Sequence, residues 1–173
     1  LASDLIERSE VVDLGDLAAF AEQITEEYEV LGVVPYREDT VEVAAELCEH
    51  LDIGWNAPET LRLFRDKHEL KMHVGRTDPG VRVPACRLVE RISDLEREPV
   101  PERFVLKPND GFGNRAVGIF GCDDLDLAAR HLAVYPDTIW ILEEFIGGTE
   151  YHIDGQVRSD GSVTCLAVIE YLR

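Results

Sequence analysis

Cysteine and lysine are scarce in this sequence of 173 residues. The four cysteines lie far apart and form no Cys-x-x-Cys pair, which excludes the usual spacing of a zinc site or a redox pair. Single thiols are typical of a reducing compartment, so we predict a cytoplasmic protein. Only three of the 17 basic residues are lysines, namely Lys67, Lys71 and Lys107. Each of them therefore carries more weight where it falls inside a motif.

Long apolar runs and two common nucleotide motifs are also absent. No stretch approaches the ~20 apolar residues that cross a bilayer, and no basic segment followed by an apolar one opens the sequence as in a signal peptide. No Gly-Lys-Ser/Thr opens a helix, and no Rossmann fingerprint is present. These absences argue against a membrane protein, a Walker loop and a dinucleotide site.

Positive charge is in deficit, since 17 basic residues stand against 35 acidic ones and the formal net charge is −18. Nucleic acid and anionic membranes are poor partners for such a surface, because neutralisation of phosphate drives their binding. Hydrophobic residues make up 45% of the chain, which is enough for a packed core. We predict a folded protein with small-molecule partners and no nucleic-acid or membrane partner. The sequence does not determine the oligomeric state and is compatible with a homodimer.

The first third of the chain alternates between strand and helix patterns. Apolar β-rich runs predict strands over residues 10–14 and 30–36, the second of them buried on both faces. Asp16 is predicted to cap one helix, and Asp39 or Thr40 the next. This alternation predicts right-handed crossovers in a parallel sheet, in which an earlier strand is missing.

The remainder of the chain has a strand-rich α+β pattern. A Pro-Gly break at residues 78–80 ends a long helix, and Ser159-Asp160-Gly161 is a strong hairpin turn. The patterns predict helices over residues 59–74, from 93 and over 123–135, strands over 81–92, 104–107, 117–120 and 138–146, and a hairpin over 150–171.

The most informative segment joins a lysine to a glycine loop. The predicted strand over residues 104–107 ends at Lys107, and Gly111 and Gly113 follow. Glycine lets backbone N–H groups turn together toward an anion, and the lysine adds a point charge for phosphate oxygens. The alternative is a β-hairpin with a flexible glycine loop.

A second segment is an apolar strand that ends in paired acids. Glu143 and Glu144 precede Phe145 and Ile146, and Glu150 follows a Gly-Gly bend. The backbone of such a strand can offer a C=O and an N–H to an adenine edge, and a carboxylate shortly afterwards can accept ribose hydroxyls. The alternative is an amphipathic strand whose two adjacent acids are merely solvated.

The third segment is a predicted helix that contains Asp66-Lys67. Lys67 and Lys71 are four residues apart and share one face of that helix. Their like charges repel, so a nearby anionic ligand would relieve them. The alternative is a surface helix whose lysines pair with Asp66 or Glu69.

In their order and spacing, these three segments resemble the ATP-grasp superfamily, in particular its carboxylate–amine ligases. The resemblance covers residues 10–173. It implies a fold of α/β and α+β parts: a Rossmann-like preceding half-domain, incomplete, over residues 1–57, then an ATP-grasp domain over residues 58–173. The second part would contain the small subdomain, the hinge strand and the start of a truncated large subdomain.

The resemblance also implies roles for individual residues. It implies phosphate binding by Lys67 and Lys107, and a closing phosphate loop at Gly111 and Gly113. The hinge that binds adenine would comprise Glu143, Glu144, Phe145 and Ile146, with Glu150 on the ribose. The implied cofactors are ATP and Mg²⁺. The magnesium ligands are expected after Arg173, and no catalytic residue is identified.

The activity implied by the resemblance is ATP-dependent activation of a carboxylate as an acyl phosphate, followed by attack of an amine. A biotin-carboxylase-like or a D-Ala–D-Ala-ligase-like activity stays open, as does a non-catalytic nucleotide-binding or interaction module. The sequence opens at Leu1 and its only methionine is Met72, so we expect a piece of a longer chain that is inactive alone.

Overall fold

The computed structural model of the protein describes residues 12–13, 15–158 and 160–172. Its helices are α1 (Leu17–Glu27), α2 (Val41–His50), α3 (Pro58–Arg65), α4 (Lys67–Thr77), α5 (Asp94–Arg97) and α6 (Leu125–Ala133), with one 3₁₀ turn (Glu38–Thr40) before α2. Its strands are β1 (Cys86–Val89), β2 (Arg103–Pro108), β3 (Gly118–Gly121), β4 (Trp140–Glu144), β5 (Tyr151–Val157) and β6 (Val163–Glu170).

The described part of the first third is helical and contains no strand. As predicted, Asp16 caps α1, since its side chain accepts a hydrogen bond from the Ala19 N–H at 3.3 Å. The predicted strand over residues 30–36 is wrong: Leu31 and Tyr36 are 86% and 95% exposed. An extended apolar run becomes a strand only where a neighbour satisfies its backbone, and none of the described residues pairs with it as a strand. The predicted strand over residues 10–14 lies largely outside the described residues.

The single long helix predicted over residues 59–74 is in fact two helices. Asp66 has an extended backbone, with φ −77° and ψ 99°, and separates α3 from α4. Its carboxylate accepts a hydrogen bond from the Glu69 N–H at 2.8 Å and so caps α4. The break makes Lys67 the first residue of α4, which determines where its side chain goes.

Four strands form one antiparallel sheet in the order β1-β4-β2-β3. The predicted strand over residues 81–92 shortens to β1, which starts two residues after Pro84, a residue that can donate no backbone hydrogen bond. The predicted strands over residues 104–107, 117–120 and 138–146 are confirmed with shifted ends. The helix predicted over residues 123–135 is α6.

The two faces of this sheet have different roles, because successive side chains along a strand point to opposite sides. One face carries the core: Phe104 and Leu106 of β2 and Trp140 and Leu142 of β4 are buried among residues of α5 and α6. Lys107 and Glu143 alternate with these residues and therefore lie on the other face. The sheet thus presents charged groups on the side where α4 packs.

β5 and β6 form the predicted hairpin, a separate two-stranded sheet. Gly161 adopts φ +81° in the turn, and the Ser162 N–H donates to the Asp160 carboxylate at 2.8 Å. Nearly all of its residues are exposed, including Ile153 (65%) and Val168 (61%). In the part of the chain that the structure describes, no helix is long and apolar enough to cross a membrane.

Candidate functional site

A buried carboxylate on β4 holds two lysines together. The Glu143 side chain is 7% exposed, and its two oxygens lie 2.9 Å from the ammonium groups of Lys71 and Lys107. Lys71 comes from α4 and Lys107 from β2, so three separate elements meet at this ion cluster. Burial of a carboxylate is costly unless it is paired, and the cluster provides that pairing.

Asn109 attaches α4 to the end of β2. Its backbone C=O accepts a hydrogen bond from the Lys67 N–H at 3.2 Å, and its side-chain oxygen accepts one from the His68 N–H at 2.9 Å. With the Asp66 cap on Glu69, these bonds occupy the N–H groups of the first three residues of α4. Asn109 itself is buried. The first turn of α4, which carries Lys67, is therefore attached to the end of β2.

The Lys67 side chain is turned toward the glycine segment. Its ammonium group donates to the Gly111 C=O at 2.6 Å and to the Asn109 C=O at 3.2 Å. Burial, and next the positive charge of Lys107, lower the pKa of Lys67 below the ordinary lysine value. The charge of Lys107 thus acts on Lys67, while binding of phosphate by these two lysines stays a prediction.

The segment between β2 and β3 has an unusual backbone. Gly113, Asn114 and Ala116 all have positive φ, at 67°, 55° and 56°. Glycine adopts this region freely, whereas alanine rarely does. The Ala116 C=O accepts a hydrogen bond from His131 Nε2 at 2.9 Å, which holds the strained end of the segment against α6. Gly113 thus lies in a turn over residues 113–116, and Gly111 precedes this turn.

A cleft of about 630 Å³ opens where β4 ends. Val105, Val117 and Ile119 contribute apolar surface to it, and Lys107 contributes a positive charge. Pro84, Asn114 and the segment 143–150 complete the wall, so all five predicted hinge and ribose residues line this one cleft. Apolar walls with a few polar groups are typical of a small-molecule site.

The end of β4 has part of its backbone committed to the sheet. The Glu144 N–H donates to the Ala85 C=O at 2.9 Å, and the Phe145 N–H donates to the Arg103 C=O at 3.0 Å. Among the residues that the structure describes, Ile146 N–H has no acceptor. This N–H is therefore available to a ligand, as the predicted contact with adenine needs.

Side chains around the end of β4 are also held in place. The Arg103 guanidinium lies 4.0 Å from the centre of the Phe145 ring, a cation–π contact. Arg82 pairs with Glu144 at 3.1 Å. One face of Phe145 is thus covered by protein, and the Glu144 carboxylate is compensated.

The predicted site residues divide between two cavities, and Gly113 lines neither of them. Lys107 and the segment 143–150 line the cleft, whereas Lys67 and Gly111 border an adjacent hollow of about 280 Å³. Sequence reasoning assigned no ligand-site role to Asn109 and did not pair Lys71 with Glu143. The rarity of lysine and the four-residue spacing from Lys67 were the sequence signals that pointed to Lys71.

Comparison with known proteins gives matches among solved structures alone. No protein-family model matches the sequence, and no curated protein matches it. L-amino acid ligase from Bacillus licheniformis superposes with a TM-score of 0.73 and 22% identity, over 91% of this chain and 36% of that one. The ADP complex of N5-carboxyaminoimidazole ribonucleotide synthetase gives 0.77 and 17%, over 99% and 45%. D-alanine–D-alanine ligase from Helicobacter pylori gives 0.60 and 19%, over 77% and 41%.

The chain has the ATP-grasp fold. It spans less than half the length of each of these ATP-grasp structures. At these identities the likeness establishes the fold alone, so the resemblance seen in the sequence is confirmed at that level. The residue roles and the boundary between residues 57 and 58 stay predictions.

Magnesium is the remaining cofactor that the ATP-grasp resemblance implies. Within the described ranges, no group of three or more His, Cys, Asp or Glu side chains could hold a metal ion. We therefore assign none of the described residues a metal-binding role.

Proposed function

We propose that this chain carries the ATP-binding part of a ligase that activates a small carboxylate as an acyl phosphate and joins it to an amine. The observation that carries the proposal is the cleft at the end of β4, where Lys107 lies beside the segment 143–150. An ATP-grasp structure similar to this chain is an ADP complex, and two others are ligases by name.

In this proposal the cleft receives the nucleotide with its base toward the end of β4. The Ile146 N–H and the Glu144 C=O bind the adenine edge, with Val105 and Ile119 against the ring. Lys107 contacts phosphate, and the ribose lies near Glu150. Such a site contributes mainly by positioning and by neutralising charge.

Lys67 would join the phosphates from the adjacent hollow. Its ammonium group now donates to the Gly111 C=O, and binding of a polyphosphate would draw it and the glycine segment toward the ligand. The setting we propose is the cytoplasm, which the four free cysteines support.

Titration of the chain with ADP, without added metal, tests the proposal. We expect saturable binding that Lys107→Met weakens by about tenfold or more, since a lysine that contacts phosphate contributes a charge-assisted interaction. Isothermal titration calorimetry measures the affinity, and thermal unfolding checks that the variant is folded.

Arg97→Met is the matched control, because it removes the same charge from a side chain that is 77% exposed on α5. It should leave ADP affinity unchanged. No saturation at millimolar ADP, or an equal loss in both variants, would contradict the proposal. Carboxylate-dependent ADP release, measured on a chain as long as the similar ligases, separates a ligase from a non-catalytic nucleotide-binding module.

A further inference from the structure

The charges around the cleft do not favour an anionic ligand by themselves. Its lining residues include one cation, Lys107, and three carboxylates, Glu143, Glu144 and Glu150. A polyphosphate that enters beside Lys107 therefore meets a wall with more carboxylates than ammonium groups. Two of these carboxylates, Glu143 and Glu144, have cationic partners that lie behind the lining.

Lys71 provides such compensation from a protected position. Its side chain is 19% exposed, and its ammonium group lies 2.9 Å from Glu143 Oε1. Arg82 pairs with Glu144 in a comparable way but is 79% exposed, so solvent and salt screen that pair. Lys71 is thus the better-shielded partner of a lining carboxylate.

The shared carboxylate couples Lys71 to Lys107. Each Glu143 oxygen lies 2.9 Å from one ammonium group, so the cluster of two cations and one anion has a net charge of +1. Without Lys71, Glu143 and Lys107 would form a neutral pair. The attraction of Lys107 for a phosphate would then be largely cancelled by its own partner.

We propose that Lys71 is a positioning residue of the nucleotide site, which neutralises Glu143 so that the charge of Lys107 remains available to the ligand phosphates. This inference rests on the proposed function. Lys71 does not line the cleft, and it acts through Glu143. Its effect should therefore depend on the charge of the ligand and on the charge of Glu143.

Affinities of the folded chain for ADP and for adenosine provide the test. Lys71→Met should weaken ADP binding by about tenfold and change adenosine binding by less than about twofold. Lys71→Arg should keep ADP affinity near that of the unsubstituted chain. The double variant Lys71→Met/Glu143→Gln removes both charges and should recover much of the ADP affinity, because Lys107 then has no competing carboxylate.

Lys71→Met alone leaves the buried Glu143 with one partner fewer, which could weaken folding. The double variant controls for this effect, because it removes the carboxylate charge as well. Equal losses for ADP and adenosine, unchanged ADP affinity in Lys71→Met, or no recovery in the double variant would each overturn the inference while leaving the proposed function intact. Failure of the unsubstituted chain to bind ADP would overturn both.

Discussion

Lys67 is the residue whose environment departs most clearly from that of an ordinary surface lysine. Its ammonium group donates to two backbone carbonyls. Burial, and next the charge of Lys107, nevertheless lower the pKa of Lys67. A protonated Lys67 is therefore less favourable in the folded chain than in the unfolded one. Between the lowered pKa and the ordinary value of about 10.4, the unfolded state binds more protons.

This linkage predicts the sign of a pH effect. The free energy of unfolding of the unsubstituted chain should rise, relative to that of Lys67→Met, as the pH increases toward about 10.4. Urea unfolding at a series of alkaline pH values measures the difference between the two proteins. Arg97→Met, which removes a charge far from the glycine segment, should show no such pH-dependent difference. A difference that falls with pH would contradict a lowered pKa.

At the scale of elements, the position of α4 against β2 depends on Asn109. Its side-chain and backbone oxygens accept the N–H groups of His68 and Lys67, and burial keeps water from replacing them. The same contacts set the distance between the lysine of β2 and the lysines of α4. Packing of the two elements and geometry of the site are therefore coupled.

Asn109→Ala should lower the free energy of unfolding by about 1–3 kcal/mol, because it leaves a part-buried helix N–H without its acceptor. It should also weaken ADP binding, since α4 would shift relative to β2. Chemical denaturation and calorimetric titration measure the two effects.

Asp16→Ala is the control, since Asp16 caps α1 through the Ala19 N–H. It should cost about 1 kcal/mol of stability and leave ADP affinity unchanged. Were Asn109→Ala to lose stability but bind ADP normally, the coupling between packing and site would be wrong.

At the scale of the whole molecule, a net charge of −18 dominates the electrostatics. Like charges over the surface repel one another and disfavour the compact state. Added salt shortens the Debye length from about 30 Å at 0.01 M to about 8 Å at 0.15 M. Screening by salt should therefore weaken the repulsion between like surface charges more than it weakens the attraction between opposite ones.

We expect the unfolding temperature at neutral pH to rise as sodium chloride increases from about 0.01 to about 0.15 M. Differential scanning calorimetry measures it. The same series near pH 4.5, the sequence isoelectric point, should show little effect. A fall with salt at neutral pH would mean that surface ion pairs, such as Arg62 with Glu42 and Glu46, outweigh the repulsion.

Local sequence patterns were sufficient to predict several strands and turns of this protein. The strands that carry Lys107 and Glu143, the glycine segment between β2 and β3, and the hairpin turn at residues 160–161 all follow from short-range rules of alternation and turn chemistry. Those rules hold because they depend only on neighbouring residues. The order of the three motifs was enough to predict the ATP-grasp fold.

Tertiary structure decided the remainder. The run over residues 30–36 has strand character, yet only a neighbouring strand could have made it one. Asp66 interrupts a continuous helical pattern because Asn109, 43 positions later in the sequence, supplies acceptors for the new helix end. Likewise, Lys71 meets Glu143 because α4 packs on the charged face of the sheet. Such contacts join residues far apart in the chain, and local periodicity contains no information about them.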